Sequence, residues 1–159
     1  MMKNTKIMSL VIVLIISLIL IFFLIQSRFN FIYESGYLNG GDQLNTFTNQ
    51  YTKILDDGPV TIDLELTKEE KKKILSYMKE IDFFDYPNEI QGLSGLPGGL
   101  GHKFQIQYGW KKKSFIWRDG YDQSIKNHKD FYQLTQLIGD IVKSKKEYKE
   151  LPERTIYPQ

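Results

Sequence analysis

No cysteine and no alanine occur in this 159-residue chain, and it holds only two histidines and three arginines. Without cysteine there is no disulfide framework, no thiol nucleophile and no lipid-modified lipoprotein cysteine. The two histidines, His102 and His128, are far apart in sequence and neither lies in a ligand-spaced cluster, which argues against a histidine-based metal centre. Scarce arginine also weakens a nucleic-acid reading, which needs clustered guanidinium groups on a basic domain. The formal charge of +2 resides in Lys3 and Lys6, so residues 28–159 carry 19 basic and 19 acidic side chains and are close to neutral.

Long apolar runs are absent too, with one exception. Residues 7–25 read IMSLVIVLIISLILIFFLI without a charge. At about 1.5 Å of rise each, they match a hydrocarbon core of roughly 30 Å, so a transmembrane helix is expected there. Ser9 and Ser17 are its polar residues, and each hydroxyl can bond back to a carbonyl one turn earlier. Lys3, Lys6 and the terminal amine precede the run, whereas Arg28 alone soon follows it, so residues 1–6 form a cytoplasmic stub and the rest lies outside. A cleaved signal peptide shares the charged start and apolar core. The length of this run and the lack of a small-x-small site near Ser27 favour an uncleaved, single-pass anchor.

Residues 28–159 are long enough for one domain with its own core. Phe29, Phe31 and Tyr33 alternate with polar positions and suggest a strand beginning almost at the lipid surface. Residues 44–54, rich in threonine and aromatics, and the alternating VTIDLEL of 60–66 complete a set of three strands, the last two joined at Asp56-Asp57-Gly58-Pro59. Thr67 and Glu70 fit a capping box that opens a helix reaching about Asp82, with Ile74, Leu75, Met78 and Ile81 on its apolar face. Alternation returns at Phe104, Ile106 and Tyr108, and again at Phe115 and Trp117, which suggests a second hairpin. A last helix starts near Asn127, which with Asp130 makes a plausible cap; it shows Phe131, Leu134, Ile138, Ile141 and Val142 at helical spacing. The expected fold is therefore α+β: an antiparallel sheet of about five strands covered by two helices, in the order βββαββα.

Three segments, LNTFTNQYTKIL, LTKEEKKKILSYMKEIDFFDYP and SKKEYKELPE, resemble a group of small uncharacterised membrane-anchored proteins of Gram-positive bacteria. The likeness spans about residues 44–151 and rests on core and capping residues. It implies the order of elements and no activity.

Few residues carry a chemical suggestion. Trp110 with Lys111, Lys112 and Lys113 at a hairpin tip suits contact with anionic lipid headgroups or a phosphate-bearing wall polymer, although lysine runs at hairpin tips are more often solubilising turns. The glycine-rich stretch 91–101, with Gly98, Gly99 and Gly101 leading into His102, could form a recognition loop with a general base or a metal ligand beside it. It is not a phosphate-binding loop, because no Ser or Thr follows Lys103 and a strand, not a helix, comes next. Asp56 with Asp57, and Asp119 with Asp122, lack the ligand count for calcium and read as turn residues. Ten tyrosines could stack on glycans, although tyrosine also fits a half-buried sheet. No cofactor is expected. The leading functional expectation is a membrane-anchored extracytoplasmic binding or interaction module of the cell envelope, more a binder than an enzyme. The alternatives are an envelope hydrolase using the glycine loop and His102, and a structural envelope protein.

Overall fold

The computed structural model describes residues 12–18, 28–37, 40–91, 100–118, 122 and 125–154. Its strands are β1 (Phe29–Tyr37), β2 (Asp42–Asn45), β3 (Gln50–Leu55), β4 (Gly58–Asp63), β5 (Glu89–Gln91), β6 (Leu100–Tyr108) and β7 (Lys111–Arg118). Its helices are α1 (Lys68–Glu80), α2 (Lys126–Ser144) and the single turn α3 (Lys146–Lys149), with a 3-10 turn at Phe83–Asp85. The strands form one seven-stranded sheet in the order β4-β3-β2-β1-β6-β7-β5. Every neighbouring pair is antiparallel except β5 and β7, which run parallel.

The expected five-stranded antiparallel sheet in the order βββαββα is therefore corrected to a mixed sheet of seven, with four strands before α1 and three before α2. Two local causes account for the difference. Residues 44–54 are two strands, because the Asn45 carboxamide accepts from the Phe47 and Thr48 amides while Asn49 takes a left-handed φ of 56°. Asparagine does this readily, and the chain reverses there. The extra strand β5 is three residues long, recruited beside β7 by the Ile116 amide donating to the Asn88 carbonyl (2.8 Å).

The transmembrane helix expected over 7–25 is not found among the described residues. Of that run, residues 12–18 are described, as exposed helix in which the Ser17 hydroxyl donates to the Val13 carbonyl (2.9 Å); the other positions lie outside the described residues. Among the described residues no helix is long and apolar enough to cross a membrane.

Alternation along the strands sorts the sheet into two unlike faces. Phe29, Phe31, Tyr33, Phe104, Ile106, Phe115 and Trp117 point to the face that α1 and α2 cover, and all are buried. The 3-10 turn contributes Phe83, whose ring lies 5.5 Å from Phe104 and 5.0 Å from Phe115, edge-on to both. From α2, Phe131 stacks on Trp117 (4.6 Å, 3°). Fully burying one such side chain stabilises the fold by about 1.5–3 kcal/mol, and edge-to-face geometry adds to that. The other face is polar: Gln43, Asn45, Thr52, Thr61, Gln105 and Ser114 share it by register, and Thr52 and Thr61 bond across strands (2.9 Å). An antiparallel sheet with one wet face is stable without a second layer.

The capping box is present in full: the Thr67 hydroxyl accepts from the Glu70 amide and the Glu70 carboxylate accepts from the Thr67 amide. The start of α2 differs from the expected Asn127 cap. Its boundary residue is Ile125, which makes no side-chain cap, and Asn127 lies inside the first turn. Asp130 instead pairs with Lys126 one turn back (2.5 Å).

Candidate functional site

Two regions gather the residues singled out by sequence. The first is the end of the sheet where β1 begins. Register pairs Phe29 with Tyr108 and Tyr108 with Lys111, so the β6–β7 hairpin tip lies beside the start of the domain. The Gly109 amide donates to the Arg28 carbonyl (2.9 Å), and Gly109 adopts a φ of 57°, a turn conformation that suits glycine. Trp110 projects from this tip with 64% of its surface exposed, and Lys111 and Lys112 are exposed after it.

Lys113 does not join them. Strand alternation turns it to the helix-covered side, where its Nζ donates to the Tyr86 carbonyl (2.5 Å) and the Phe84 carbonyl (3.1 Å), and burial lowers its pKa. Its task is to satisfy carbonyls at the end of the 3-10 turn. A residue not singled out by sequence takes its place. Phe47, 47% exposed, sits on the β2–β3 turn at the same sheet end, because the adjoining Thr46 amide donates to the Phe31 carbonyl (2.9 Å). Phe47 and Lys112 line one shallow depression with Gln105, Gln107 and Ser114. The signal was a bulky apolar residue inside a four-residue turn otherwise made of Thr and Asn.

The second region surrounds His102. It is paired with Ser35 on β1 and Trp117 on β7, and lies on the helix-covered side of β6. Its Nδ1 shares a hydrogen bond with the Tyr33 hydroxyl (2.9 Å), the two rings are nearly parallel at 5.8 Å, and Phe131 meets the imidazole edge-on at 5.6 Å. Burial pushes the His102 pKa down from 6.5 to about 4, so the ring is neutral at physiological pH. Burial likewise raises the Tyr33 and Tyr51 hydroxyls well above their ordinary value, so both stay protonated.

Beside this pair, Asp42 opens β2. Its carboxylate accepts from the Tyr51 hydroxyl (3.1 Å), from the Ile54 amide (2.9 Å) and from the Arg154 guanidinium. Gly41 must precede it, since a Cβ there would collide with the Ser35 carbonyl. Between these strands and α2 lies a cleft of about 220 Å³. Tyr33, Leu44, Tyr51 and Thr135 form its buried floor, Ser35 and His102 a half-buried wall, and Gln136, Asp140 and Lys143 an exposed rim. Sequence reasoning named His102 and missed the rest, which converge on it from β1, β2, β3 and α2.

Of the glycines, Gly98 and Gly99 lie outside the described residues, and Gly101 is buried in β6 opposite Gly36 of β1. His128 is buried in the first turn of α2, where its Nδ1 accepts from the Asp122 amide (2.9 Å) and Trp117 lies edge-on at 4.5 Å. That is a packing and turn-closing role. Among the described residues no three of His, Asp and Glu are grouped to hold a metal ion. No protein-family model and no curated protein matches the chain.

Proposed function

We propose that this chain is a binding module of the bacterial cell envelope, held at the membrane through residues 7–25 with its domain on the extracytoplasmic side. The observation that carries the reading is the bond between the Gly109 amide and the Arg28 carbonyl, which sets the Trp110 tip beside the residue where the apolar run hands over to the fold. Gln26 and Ser27 separate the two, so three peptide steps, at most about 11 Å of chain, link Ile25 to Arg28. An exposed tryptophan flanked by cations belongs at a headgroup boundary, where its amphipathic ring and the lysines both find partners.

The cleft at the far end of β1 supports binding more than catalysis. A general base works best with a pKa near the operating pH, and His102, at about 4, is a poor proton acceptor but a good neutral hydrogen-bonding group. The chain has no cysteine, which makes a direct test simple. In intact cells a Glu147→Cys variant, at an exposed position, is labelled by a membrane-impermeant maleimide. Labelling only after lysis overturns the extracytoplasmic assignment.

A further inference from the structure

We propose that the cleft between β1, β2, β3, β6 and α2 binds a neutral polyhydroxylated ring, a single sugar unit or the end of a glycan. This deepens the binding-module reading and rests on it for the claim that the site is a binding site.

Size comes first. At about 220 Å³ the cleft is smaller than the roughly 300–1,000 Å³ that encloses a drug-sized molecule, and it suits one small ring. Its chemistry is that of a hydroxyl-rich ligand. Ser35 and His102 line it with polar groups facing the cleft, and the Tyr51 and Thr135 hydroxyls, whose protons go to Asp42 and to the Tyr132 carbonyl (2.8 Å), keep oxygen lone pairs that accept from ligand hydroxyls. Tyr33 occupies His102 Nδ1, so Nε2 is the ring nitrogen with no hydrogen bond among the described residues. The rings of Tyr51 and Tyr148, edge to face at 5.5 Å, add apolar surface of the kind that receives the C–H face of a sugar.

Charge argues against an ionic ligand. Asp42 is already matched by Arg154 and satisfied by Tyr51 and Ile54, so it offers little to an incoming cation. On the rim, Asp140 and Lys143 oppose each other in sign. An anion would face one lysine and two aspartates, with Arg154 already committed. Neutral ligands alone leave this balance undisturbed, since a buried charge without a partner is costly.

The site is also separate from the membrane-facing end. Ser35 and His102 lie six residues along β1 from Phe29, about 20 Å at roughly 3.3 Å per residue. The two can therefore be tested independently. The full chain, in a detergent without a sugar headgroup, is titrated with glucose, N-acetylglucosamine and its soluble oligomers, and separately with phosphate and methylammonium, while amide shifts of Ser35, His102 and Thr135 are followed. At least one neutral saccharide gives saturable shifts at these residues. Ser35→Ala, which leaves the core untouched, and His102→Phe each weaken that affinity tenfold or more, and Trp110→Ser leaves it unchanged. The proposal is overturned if no neutral saccharide in the panel binds, if phosphate or methylammonium binds more tightly, or if Ser35→Ala binds as the parent does. Failure of saccharide binding with membrane contact by Trp110 intact removes this proposal alone; loss of that contact with saccharide binding intact removes the membrane reading alone.

Discussion

Protonating His102 should lower the stability of the fold in a defined pH window. The imidazole is driven from 6.5 to about 4 by burial between Tyr33 and Phe131. Between those two values the unfolded chain binds a proton that the folded chain refuses, so stability rises with pH across the window. Its contribution is complete above about pH 6.5 and is lost as pH falls through 4. At about 1.4 kcal/mol for each tenfold change in proton affinity, the whole effect is about 3 kcal/mol, a large share of the roughly 5–15 kcal/mol that holds a domain together. The assay is denaturant unfolding at half-unit steps from pH 7.5 to 4, on the parent and on His102→Gln. Carboxylates titrate alike in both, so the difference between the two curves isolates this imidazole. It should shrink by about 3 kcal/mol as the pH is lowered. Parallel curves across the whole range would refute the buried, neutral imidazole.

Other substitutions probe the frame around the two regions. Phe83→Ala, which empties the centre of the aromatic cluster, should cost about 3–5 kcal/mol in denaturant unfolding. Thr46→Val leaves the buried Phe31 amide, now paired with the Thr46 hydroxyl at 2.8 Å, without an acceptor and should cost about 1–3 kcal/mol by the same measure. Lys113→Met strands the Phe84 and Tyr86 carbonyls and should destabilise measurably, whereas Lys112→Gln should change stability by no more than about 0.5 kcal/mol. Replacing Lys111 and Lys112 together by glutamine should abolish any difference in Trp110 emission between liposomes rich in phosphatidylglycerol and liposomes of phosphatidylcholine.

The legible parts of the fold were those encoded by local periodicity and capping. Phe29, Phe31 and Tyr33, the Thr67–Glu70 box and the Phe131 to Val142 face all announce themselves within a dozen residues. The split of residues 44–54 depends on one Asn side chain folding back on its own turn, and β5 exists only because β7 offers an edge; neither signal is periodic. At the sites, Lys113 reads as part of a lysine run, yet the two-residue repeat of β7 sends it inward, away from Lys112. His102 was visible as a lone histidine. The other cleft residues Tyr33, Ser35, Asp42 and Thr135 come from distant segments and meet only through sheet register and the packing of α2 on the sheet.

The most direct test of the membrane-held module is the depth of Trp110. The full chain is reconstituted in liposomes carrying lipids brominated near the headgroup, and the Trp110 signal is taken as the difference between the parent and Trp110→Tyr, since Trp117 is buried against Phe131 in both. The account predicts strong quenching of that difference signal by the brominated lipid and weak quenching by iodide in the water. A Trp110 signal quenched freely by iodide and untouched by the brominated lipid would contradict it.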